Sequence, residues 1–587
     1  MQHDLAPTDG ATAARARSSR ASARAAFSCV SLVVFGTLAG AAVQAGTLSG
    51  VVRGDDGKPI VGAMVSLSDA QRGVSESVYT NASGRYLLKA RRISGHLGLR
   101  VRQPYFRDLQ GEVELGAAQS LARDLDLLAM TDPTEISDSL PAAYHFGRIA
   151  FQDGTTFERG RFQRDCLTCH QVGNALTRVP RSAEGWESSI ERMHRYLGNF
   201  DVGLRARRAS LLADAFNGEP TTVRPVFPFD SEAAKARVTQ YRLDQAVLPH
   251  DAEISPADGL VYTADQFGDQ LIVTDLATGV SRYFPVTQDG MIPGGKFTRL
   301  GLPALGDAAS RLYRGPHSLA LGHDGRWYTT DTFATQIGVF NPATMSWEQS
   351  YDIPDGKNLP SLYPHTIRVD RHGKVWFTLA FSEQVGRLDP VTRKVDVIDL
   401  PPAKSLGVAA GTVPYGIDID PQDGSIWYAR LWADKIGRVD PATLLVTEFD
   451  SPVNGPRRLR FDRRGTLWLT GYSDGVIAEI RTGGAGGFTS KVHQMPEFAP
   501  GHRPAAYALA VDPKTLHVWV NETMTDHLYR FDPRRGKWTA YALPLRGTYT
   551  REISFTASGE VCTSNNPFPV AALEGGLAEL ICIDPGR

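Results

Sequence analysis

The fold of this chain is decided by a stretch that recurs along its second half. Residues 315–354 read GPHSLALGHDGRWYTTDTFATQIGVFNPATMSWEQSYDIP, and residues 363–401 follow the same pattern, YPHTIRVDRHGKVWFTLAFSEQVGRLDPVTRKVDVIDLP. Each unit has four short apolar runs joined by Asp-Gly and Asp-Pro turns, which is typical of four antiparallel strands. The unit recurs seven times, with equivalent first-strand positions at His250, His317, His365, Tyr415, Arg457, Tyr507 and Arg551. These repeats predict a seven-bladed β-propeller over residues 237–587.

The two ends of the repeat region indicate how the ring closes. Residues 237–244, RVTQYRLD, match the fourth strand of a unit but have no strands before them, whereas the last unit stops after its third strand. We therefore expect strand 237–244 to complete the last blade, which removes two open sheet edges. Cys562 and Cys582 then lie on neighbouring strands of that blade, either joined by a disulfide or present as two buried thiols.

Length, charge and the N-terminal segment narrow the class of protein. A chain of 587 residues exceeds one hydrophobic core, and a net charge of −1 with a pI near 6.9 argues against a nucleic-acid partner. Arginines precede the apolar run AAFSCVSLVVFGTLAGAA, so residues 1–45 are predicted to be a secretory signal peptide, with a membrane anchor as the alternative. We expect a periplasmic mature chain without an integral membrane segment.

The segment 46–128 predicts a separate small domain. It contains GTLSGVVRGDDGKPIVGAMVSLSD and VYTNASGRYLLKA, which are alternating apolar strands separated by turn residues. The pattern predicts an antiparallel β-sandwich. These residues resemble the carboxypeptidase regulatory-like domain, and the resemblance implies a structural or docking module without catalytic groups.

Residues 129–236 have helical spacing and contain DCLTCH at 165–170. C-x-x-C-H is the attachment signature of c-type haem: the thiols of Cys166 and Cys169 add to the two vinyl groups, and His170 becomes an axial iron ligand. The two alternatives lack what they need in this sequence. A zinc site would need two further ligands nearby, and a redox dithiol would need a βαβ context. The segment therefore predicts a small helical domain with one covalent haem c.

The second axial ligand is left open by the sequence. In GWESSIERMHRYL, residues 185–197, Met193 lies on an apolar helix face and His194 lies one step around it; His145 or an open position are further alternatives. The segment resembles the haem domains of quinohaemoprotein amine dehydrogenases, where a similar helix follows the CxxCH motif. Met193 and His194 both remain candidates. Methionine ligation would raise the reduction potential, and a second histidine would lower it.

The repeats, with PHTIRVDRHGKVWFT and VGRLDPVT, resemble the streptogramin B lyase propellers. In that family a first-strand histidine and an acidic residue about 14 positions later lie near the channel, hold Mg²⁺ and carry a ring-opening elimination. The corresponding pairs in this chain are His317 with Asp331, His250 with Asp265, and Tyr507 with Glu522. The third blade departs from the pattern, because His365 is followed by Leu379 where the acid would stand.

The resemblance implies roles for several of these residues. His317 would be the general base, and Asp331 or Glu522 would hold the metal. Arg457 and Arg551 favour an anionic substrate or intermediate. The alternative is that the channel side chains only hydrogen-bond to one another and to water.

Three functions are consistent with these patterns. The first is a periplasmic haem protein whose propeller binds a small polar or anionic molecule or a partner, and whose haem exchanges electrons with a soluble cytochrome or a dehydrogenase. The second is a carbon-oxygen lyase acting in the propeller channel. The third is a non-enzymatic binding module. The CxxCH motif favours the first, because a lyase has no need of it.

Overall fold

The computed structural model describes residues 45–586 except 152–155, 197, 228, 289, 303–310, 407–410 and 484–486. The predicted signal peptide, residues 1–45, lies outside the described residues except for its last position. The described part of the chain is mainly β, with 41% strand and 11% helix, which confirms that part of the prediction. Among its helices, none has both the length and the apolar character needed to cross a membrane.

The N-terminal domain consists of two sheets around a shared apolar core that includes Leu48, Val65 and Leu97. Its strands are β1 (Gly46–Gly54), β2 (Met64–Asp69), β3 (Val74–Tyr79), β4 (Arg85–Ala90), β5 (Gly95–Arg102), β6 (Leu109–Leu115), β7 (Ser120–Ala122) and β8 (Leu125–Leu127). Strand β1 pairs antiparallel with β4 but parallel with β7 and β8. The domain is therefore not the wholly antiparallel one that the sequence predicted, because β7 and β8 run in the same direction as β1.

The helical segment follows. Its helices are α1 (Pro133–Ser139), α2 (Ala142–Phe146), α3 (Thr156–Cys166), α4 (Ala183–Tyr196) and α5 (Val202–Ala215), and a 3-10 turn follows at Ala233–Lys235. Helix α1 begins after Asp132, whose carboxylate accepts from the first free backbone N–H groups, with proline in the first turn. Helix α4 begins after Ser182, whose hydroxyl accepts from the Gly185 N–H at 3.3 Å.

The propeller consists of seven four-stranded antiparallel blades. After β9 (Arg237–Arg242), blade 1 comprises β10 (Pro249–Ile254), β11 (Val261–Asp265), β12 (Gln270–Thr274) and β13 (Ser281–Pro285), and a short helix α6 (Gly295–Arg299) follows. Blades 2 and 3 comprise β14 (Pro316–Leu321), β15 (Trp327–Asp331), β16 (Gln336–Asn341), β17 (Ser346–Asp352), β18 (Pro364–Val369), β19 (Val375–Leu379), β20 (Gln384–Asp389) and β21 (Lys394–Asp399).

Blades 4 to 7 continue the same order. They comprise β22 (Pro414–Ile419), β23 (Ile426–Arg430), β24 (Lys435–Val439), β25 (Val446–Asp450), β26 (Pro456–Phe461), β27 (Thr466–Gly471), β28 (Val476–Thr482), β29 (Phe488–Gln494), β30 (Ala506–Val511), β31 (Val518–Glu522), β32 (His527–Asp532), β33 (Lys537–Ala542), β34 (Thr550–Phe555), β35 (Val561–Asn565) and β36 (Glu579–Asp584). Five consecutive blades place a buried tryptophan in the second strand: Trp327, Trp376, Trp427, Trp468 and Trp519. These large side chains fill the space between neighbouring blades.

Blade 7 is completed by β9, which pairs antiparallel with β36. The other edge of β9 pairs with β3 of the N-terminal domain, so blade 7 and half of that domain form one eight-stranded sheet. Both edges of the closing strand are therefore hydrogen-bonded. Cys562 and Cys582 face each other on β35 and β36 and are joined by a disulfide.

The helical segment packs on the propeller face that carries the loops between second and third strands. Arg164 of α3 forms an ion pair with Asp434 at 2.6 Å, and the Tyr472 hydroxyl donates to the Leu167 carbonyl at 2.5 Å. The first strands begin at this same face, because second strands run antiparallel to them. The CxxCH segment is therefore held over the propeller axis.

Candidate functional site at the propeller axis

The propeller axis is lined by the second residue of the first strand in every blade. These residues are His250, His317, His365, Tyr415, Arg457, Tyr507 and Arg551, and each is at most 4% exposed. On one side of the axis three imidazoles are in contact, with ring centroids of His250 and His317 3.5 Å apart and those of His317 and His365 4.2 Å apart. The repeat thus places seven side chains of different chemistry at one point.

The other side of the axis is a network of phenols and guanidinium groups. Arg457 Nη2 donates to the Tyr415 hydroxyl at 2.9 Å, and Arg551 Nη1 donates to the Tyr507 hydroxyl at 2.8 Å. The two hydroxyls share a hydrogen bond of 3.0 Å. His250 Nε2 lies 3.5 Å from the Tyr507 hydroxyl, which connects this network to the histidines.

Three charged residues next to the axis positions were missed by the sequence reasoning: Asp251, Arg458 and Glu552. Arg458 forms two 3.0 Å contacts with the Asp251 carboxylate and also pairs with Glu552. Burial opposes ionisation of Asp251, but Arg458 and His250 outweigh it and hold its pKa well below the usual range. In the sequence, each of the three directly follows an axis residue, in the dipeptides HD at 250–251, RR at 457–458 and RE at 551–552. A charged residue at this position is the sequence signal that could have identified them.

The acidic residues that the sequence paired with the axis make their hydrogen bonds elsewhere. Asp331 accepts from Arg314 Nε at 2.6 Å, and Asp265 accepts from the Leu248 N–H at 2.7 Å. Glu522 accepts from the N–H groups and the hydroxyl at the start of the following loop. Among the hydrogen bonds and ion pairs of the described residues, none joins these three carboxylates to an axis histidine.

A different carboxylate lies beside the histidines. Ligand atoms of His250, Asp251 and His317 all lie within 4.8 Å of one another. Both oxygens of Asp251 already accept from Arg458, so a cation there would compete with a buried ion pair.

The CxxCH residues have the chemistry that covalent haem requires. Cys166 ends α3, and burial raises the pKa of its thiol to about 12; Cys169 follows in the next loop, where burial also raises the thiol pKa. His170 Nδ1 donates to the Gln171 carbonyl at 2.8 Å, which leaves Nε2 as the nitrogen with a free lone pair. Such a second bond on Nδ1 is the usual way a protein orients a metal-binding imidazole.

The three candidates for the second axial ligand lie in different surroundings. Met193 on α4 is half-buried and borders the cavity described below. His194 also borders it, but its Nε2 accepts from Arg208 Nη1 at 3.1 Å, and burial together with Arg208 lowers its pKa to about 4. His145 on α2 donates through Nε2 to the Ser137 carbonyl at 3.0 Å. Because Nε2 of neutral His194 accepts, the proton lies on Nδ1, which has no partner among the described residues, and neither nitrogen offers a free lone pair. Met193 is therefore the candidate whose donor atom is free of such a commitment.

One cavity of about 460 Å³ connects the two groups of residues. The helical side contributes Cys166, Cys169, His170, Met193 and His194, and the propeller side contributes His250, His317, His365, Tyr415 and Arg551. Its size is that of a typical cofactor or small-molecule site. The two thiols, the oriented imidazole and the cavity fit a covalent haem.

Comparisons with known proteins concern the two β regions. Residues 307–486 match the Virginiamycin B lyase family, and residues 47–128 match the family described as Carboxypeptidase regulatory-like domain. The resemblances of these two β regions are thus confirmed, and each match covers less than half of the chain. The resemblance of the CxxCH segment to haem domains stays a prediction. No curated protein gives a significant match.

Solved structures similar to the chain include "Streptogramin B lyase structure", which is 18% identical, covers 60% of this chain and 98% of its own, and has a TM-score of 0.46. The virginiamycin B lyase from Staphylococcus aureus is 16% identical, covers 59% of this chain and 99% of its own, and also has a TM-score of 0.46. The hydrazine synthase of Kuenenia stuttgartiensis is 11% identical over 55% of this chain and 94% of its own, with a TM-score of 0.41.

Proposed function

We propose that this chain is an exported c-type haem protein in which one covalent haem and the propeller axis share a single cavity. The observation that carries the proposal is that Cys166, Cys169 and His170 border the same 460 Å³ cavity as His317 and Arg551. Electron transfer would then occur beside whatever binds at the axis. A haem domain attached only as an accessory would not need a common cavity.

The helical residues would hold the haem. Cys166 and Cys169 would form the thioether bonds, His170 would bind the iron through Nε2, and Met193 would be the second iron ligand. When bound, the haem supplies one-electron transfer. His194 keeps its hydrogen bond with Arg208 and so fixes the end of α4 beside Met193.

The propeller residues would bind a small polar or anionic molecule. Burial is the main cause that holds the pKa values of His317 and His365 well below the usual range, so both are neutral at pH 7 and can donate or accept one hydrogen bond. Arg551 stays charged and borders the cavity. Electrons would pass to a soluble cytochrome in the periplasm or arrive from a dehydrogenase.

The test is a reduced-minus-oxidised visible spectrum, with the mass of the purified chain, after periplasmic expression in a host that matures c-type cytochromes. We expect a c-type spectrum and one covalently added haem. The double variant Cys166→Ala/Cys169→Ala should lose both signals, whereas the control Cys562→Ala/Cys582→Ala, which removes the disulfide, should keep them. A wild-type chain without covalent haem in that host would overturn the proposal.

A lyase reaction is the second candidate, because residues 307–486 match the Virginiamycin B lyase family and His317 lies at the axis with an unpartnered Nδ1. His317 would act as base, and Mg²⁺ would need a carboxylate that the loop contacts of Asp331 and Glu522 do not place beside it. Mg²⁺-dependent opening of a cyclic ester that is lost in His317→Ala would establish this function. Absence of turnover with Mg²⁺ present would eliminate it.

A further inference from the structure

Two buried arginines at the axis lack the acidic partner that the other deeply buried arginines have. Among the arginines less than 2% exposed, Arg164, Arg314, Arg430 and Arg458 each form an ion pair with at least one carboxylate. Arg457 is fully buried and Arg551 is 3% exposed. Neither forms an ion pair within the described part of the chain, and their hydrogen bonds go to phenol oxygens.

The guanidinium groups also keep N–H atoms without acceptors. Nε and Nη1 of Arg457 and Nε of Arg551 are buried and make no hydrogen bond with any described residue. A buried charge without a counter-charge destabilises the folded protein, which makes an unpaired buried guanidinium group a candidate for ligand binding. The axis therefore carries positive charge that the described residues do not neutralise.

The position of this charge indicates where a counter-ion would enter. Arg551 borders the cavity together with His317, whose Nδ1 is also buried without a partner. Arg457 lies behind the phenols, with its guanidinium carbon 4.0 Å from the Tyr507 ring centroid and 4.7 Å from that of Tyr415. Arg551 can contact a ligand directly, and Arg457 adds positive potential from the next layer.

We infer that the axial end of the cavity is an anion site in which the carboxylate of a small molecule binds Arg551 beside His317, with Arg457 adding to the positive potential. A carboxylate is the favoured ligand because a planar guanidinium binds it through two parallel N–H bonds. The neighbouring cavity wall is apolar at Phe267 and Phe381, which suits the body of a small organic acid. This inference rests on the part of the proposed function in which the propeller residues bind an anionic molecule; it depends on the propeller residues alone and does not require bound haem.

The test is thermal unfolding of the haem-loaded protein at pH 7 in sodium acetate or sodium benzoate, against sodium chloride of the same ionic strength. Ligands that bind only the folded state raise the unfolding midpoint with concentration. We expect both carboxylates to raise the wild-type midpoint. Arg551→Met should weaken their apparent affinity at least tenfold, and Arg551→Lys, which keeps the charge but loses the planar fork, should give an intermediate loss.

A matched control separates binding from general damage. Arg430 is equally buried but pairs with Glu383 and Glu448. Arg430→Met should lower the midpoint in chloride and keep the carboxylate response, whereas Arg551→Met should unfold in chloride no earlier than wild type, because it removes an uncompensated charge. A carboxylate response that survives Arg551→Met, or no response of the wild type to either acid, would contradict the anion site.

Two further measurements identify the source of the anion. The haem-free variant Cys166→Ser/Cys169→Ser should respond to acetate as the haem-loaded protein does; a response confined to the haem-free variant would assign Arg551 to a haem propionate and overturn the proposal.

Burial opposes ionisation of Tyr507, but Arg551, Arg457 and Arg458 outweigh it and lower its pKa. Phenolate absorbance at pH 7 that disappears in Tyr507→Phe would mean that the charge is already neutralised, and would also overturn it.

Discussion

The two sides of the propeller axis differ sharply although they occupy the same position of one repeat. Blades 1 to 3 present His250, His317 and His365, which are neutral because burial lowers their pKa values. Blades 4 to 7 present two phenols and two guanidinium groups linked by hydrogen bonds. The repeat thus fixes where a side chain lies, and the residue type at each blade decides whether that part of the axis is neutral or cationic.

The largest effect on the free energy of unfolding is expected at Arg458, and its neighbour Arg457 on β26 provides the comparison. Arg458→Met would leave Asp251 and Glu552 buried without their partner, and removing one member of a buried ion pair destabilises by about 3–5 kcal/mol. Arg457→Met removes a charge that has no acidic partner, so the free energy of unfolding should change by less than about 1 kcal/mol or rise. Urea unfolding of both variants measures the difference. Equal destabilisation would show that Arg457 is also compensated.

The buried histidines of the axis should make the free energy of unfolding depend on pH, and His250 provides the test. Burial, and then Arg551, lowers the pKa of His250 to about 3 from an ordinary value of 6.5. Below pH 6.5 the unfolded chain therefore binds a proton at this imidazole, whereas the folded chain does not. The free energy of unfolding falls by about 1.4 kcal/mol per pH unit as the pH falls from 6.5 towards 3.

His250→Gln should remove this contribution, so its free energy of unfolding should fall less steeply than that of wild type between pH 6.5 and 4. Chemical unfolding at several pH values measures it. The control His372→Gln changes an exposed histidine and should follow the wild-type curve. Parallel curves for wild type and His250→Gln would mean that this imidazole titrates normally in the folded state.

A smaller effect should separate charged from neutral hydrogen bonds of tyrosine. Tyr507→Phe removes the acceptor of Arg551 Nη1, and hydrogen bonds to charged groups contribute about 1.5–3 kcal/mol. Tyr86→Phe removes a bond to the Arg123 carbonyl in the N-terminal domain, which should contribute about 0.5–1.5 kcal/mol. Thermal unfolding of the two variants provides the comparison, and a smaller loss for Tyr507→Phe would contradict a charged network at the axis.

The smallest effect on stability, but a clear spectroscopic one, is expected at α4. If Met193 binds the iron of the proposed haem, Met193→Ala should lower the reduction potential, because methionine ligation raises it. His194→Ala should change the reduction potential little, because Nε2 of His194 accepts from Arg208, which leaves the proton rather than a lone pair on Nδ1. Redox titration with visible spectra distinguishes the two. A larger change in His194→Ala would make His194 the ligand.

The repeat made the blades and the axis positions predictable. The PH and PY dipeptides at 316–317, 364–365 and 414–415 mark the starts of β14, β18 and β22, because proline begins a strand without needing a ladder hydrogen bond. The CxxCH motif predicts a covalent haem, and this stays a prediction. Sequence spacing was sufficient wherever a local pattern determines a position along a strand.

Partners across long sequence separations were not predictable. The sequence VSESVY of β3 does not indicate that its free edge pairs with β9. The spacing of Asp331 from His317 predicted a place at the channel, but Asp331 forms an ion pair with Arg314. The ion pair of Asp251 with Arg458 joins residues 207 positions apart. Backbone periodicity sets which face a side chain is on, but its partner depends on packing between blades.

The central claim is that the CxxCH segment and the propeller axis form one site, and redox titration of the proposed haem in Arg551→Met tests it most directly. A nearby positive charge favours the reduced state, so removing Arg551 should lower the midpoint potential. The control Arg326→Met removes a partly exposed charge in the turn between β14 and β15, at the opposite face of the propeller, where distance and solvent screen it, and should leave the potential nearly unchanged. A potential in Arg551→Met equal to that of wild type would contradict a shared site and would separate the haem from the axis.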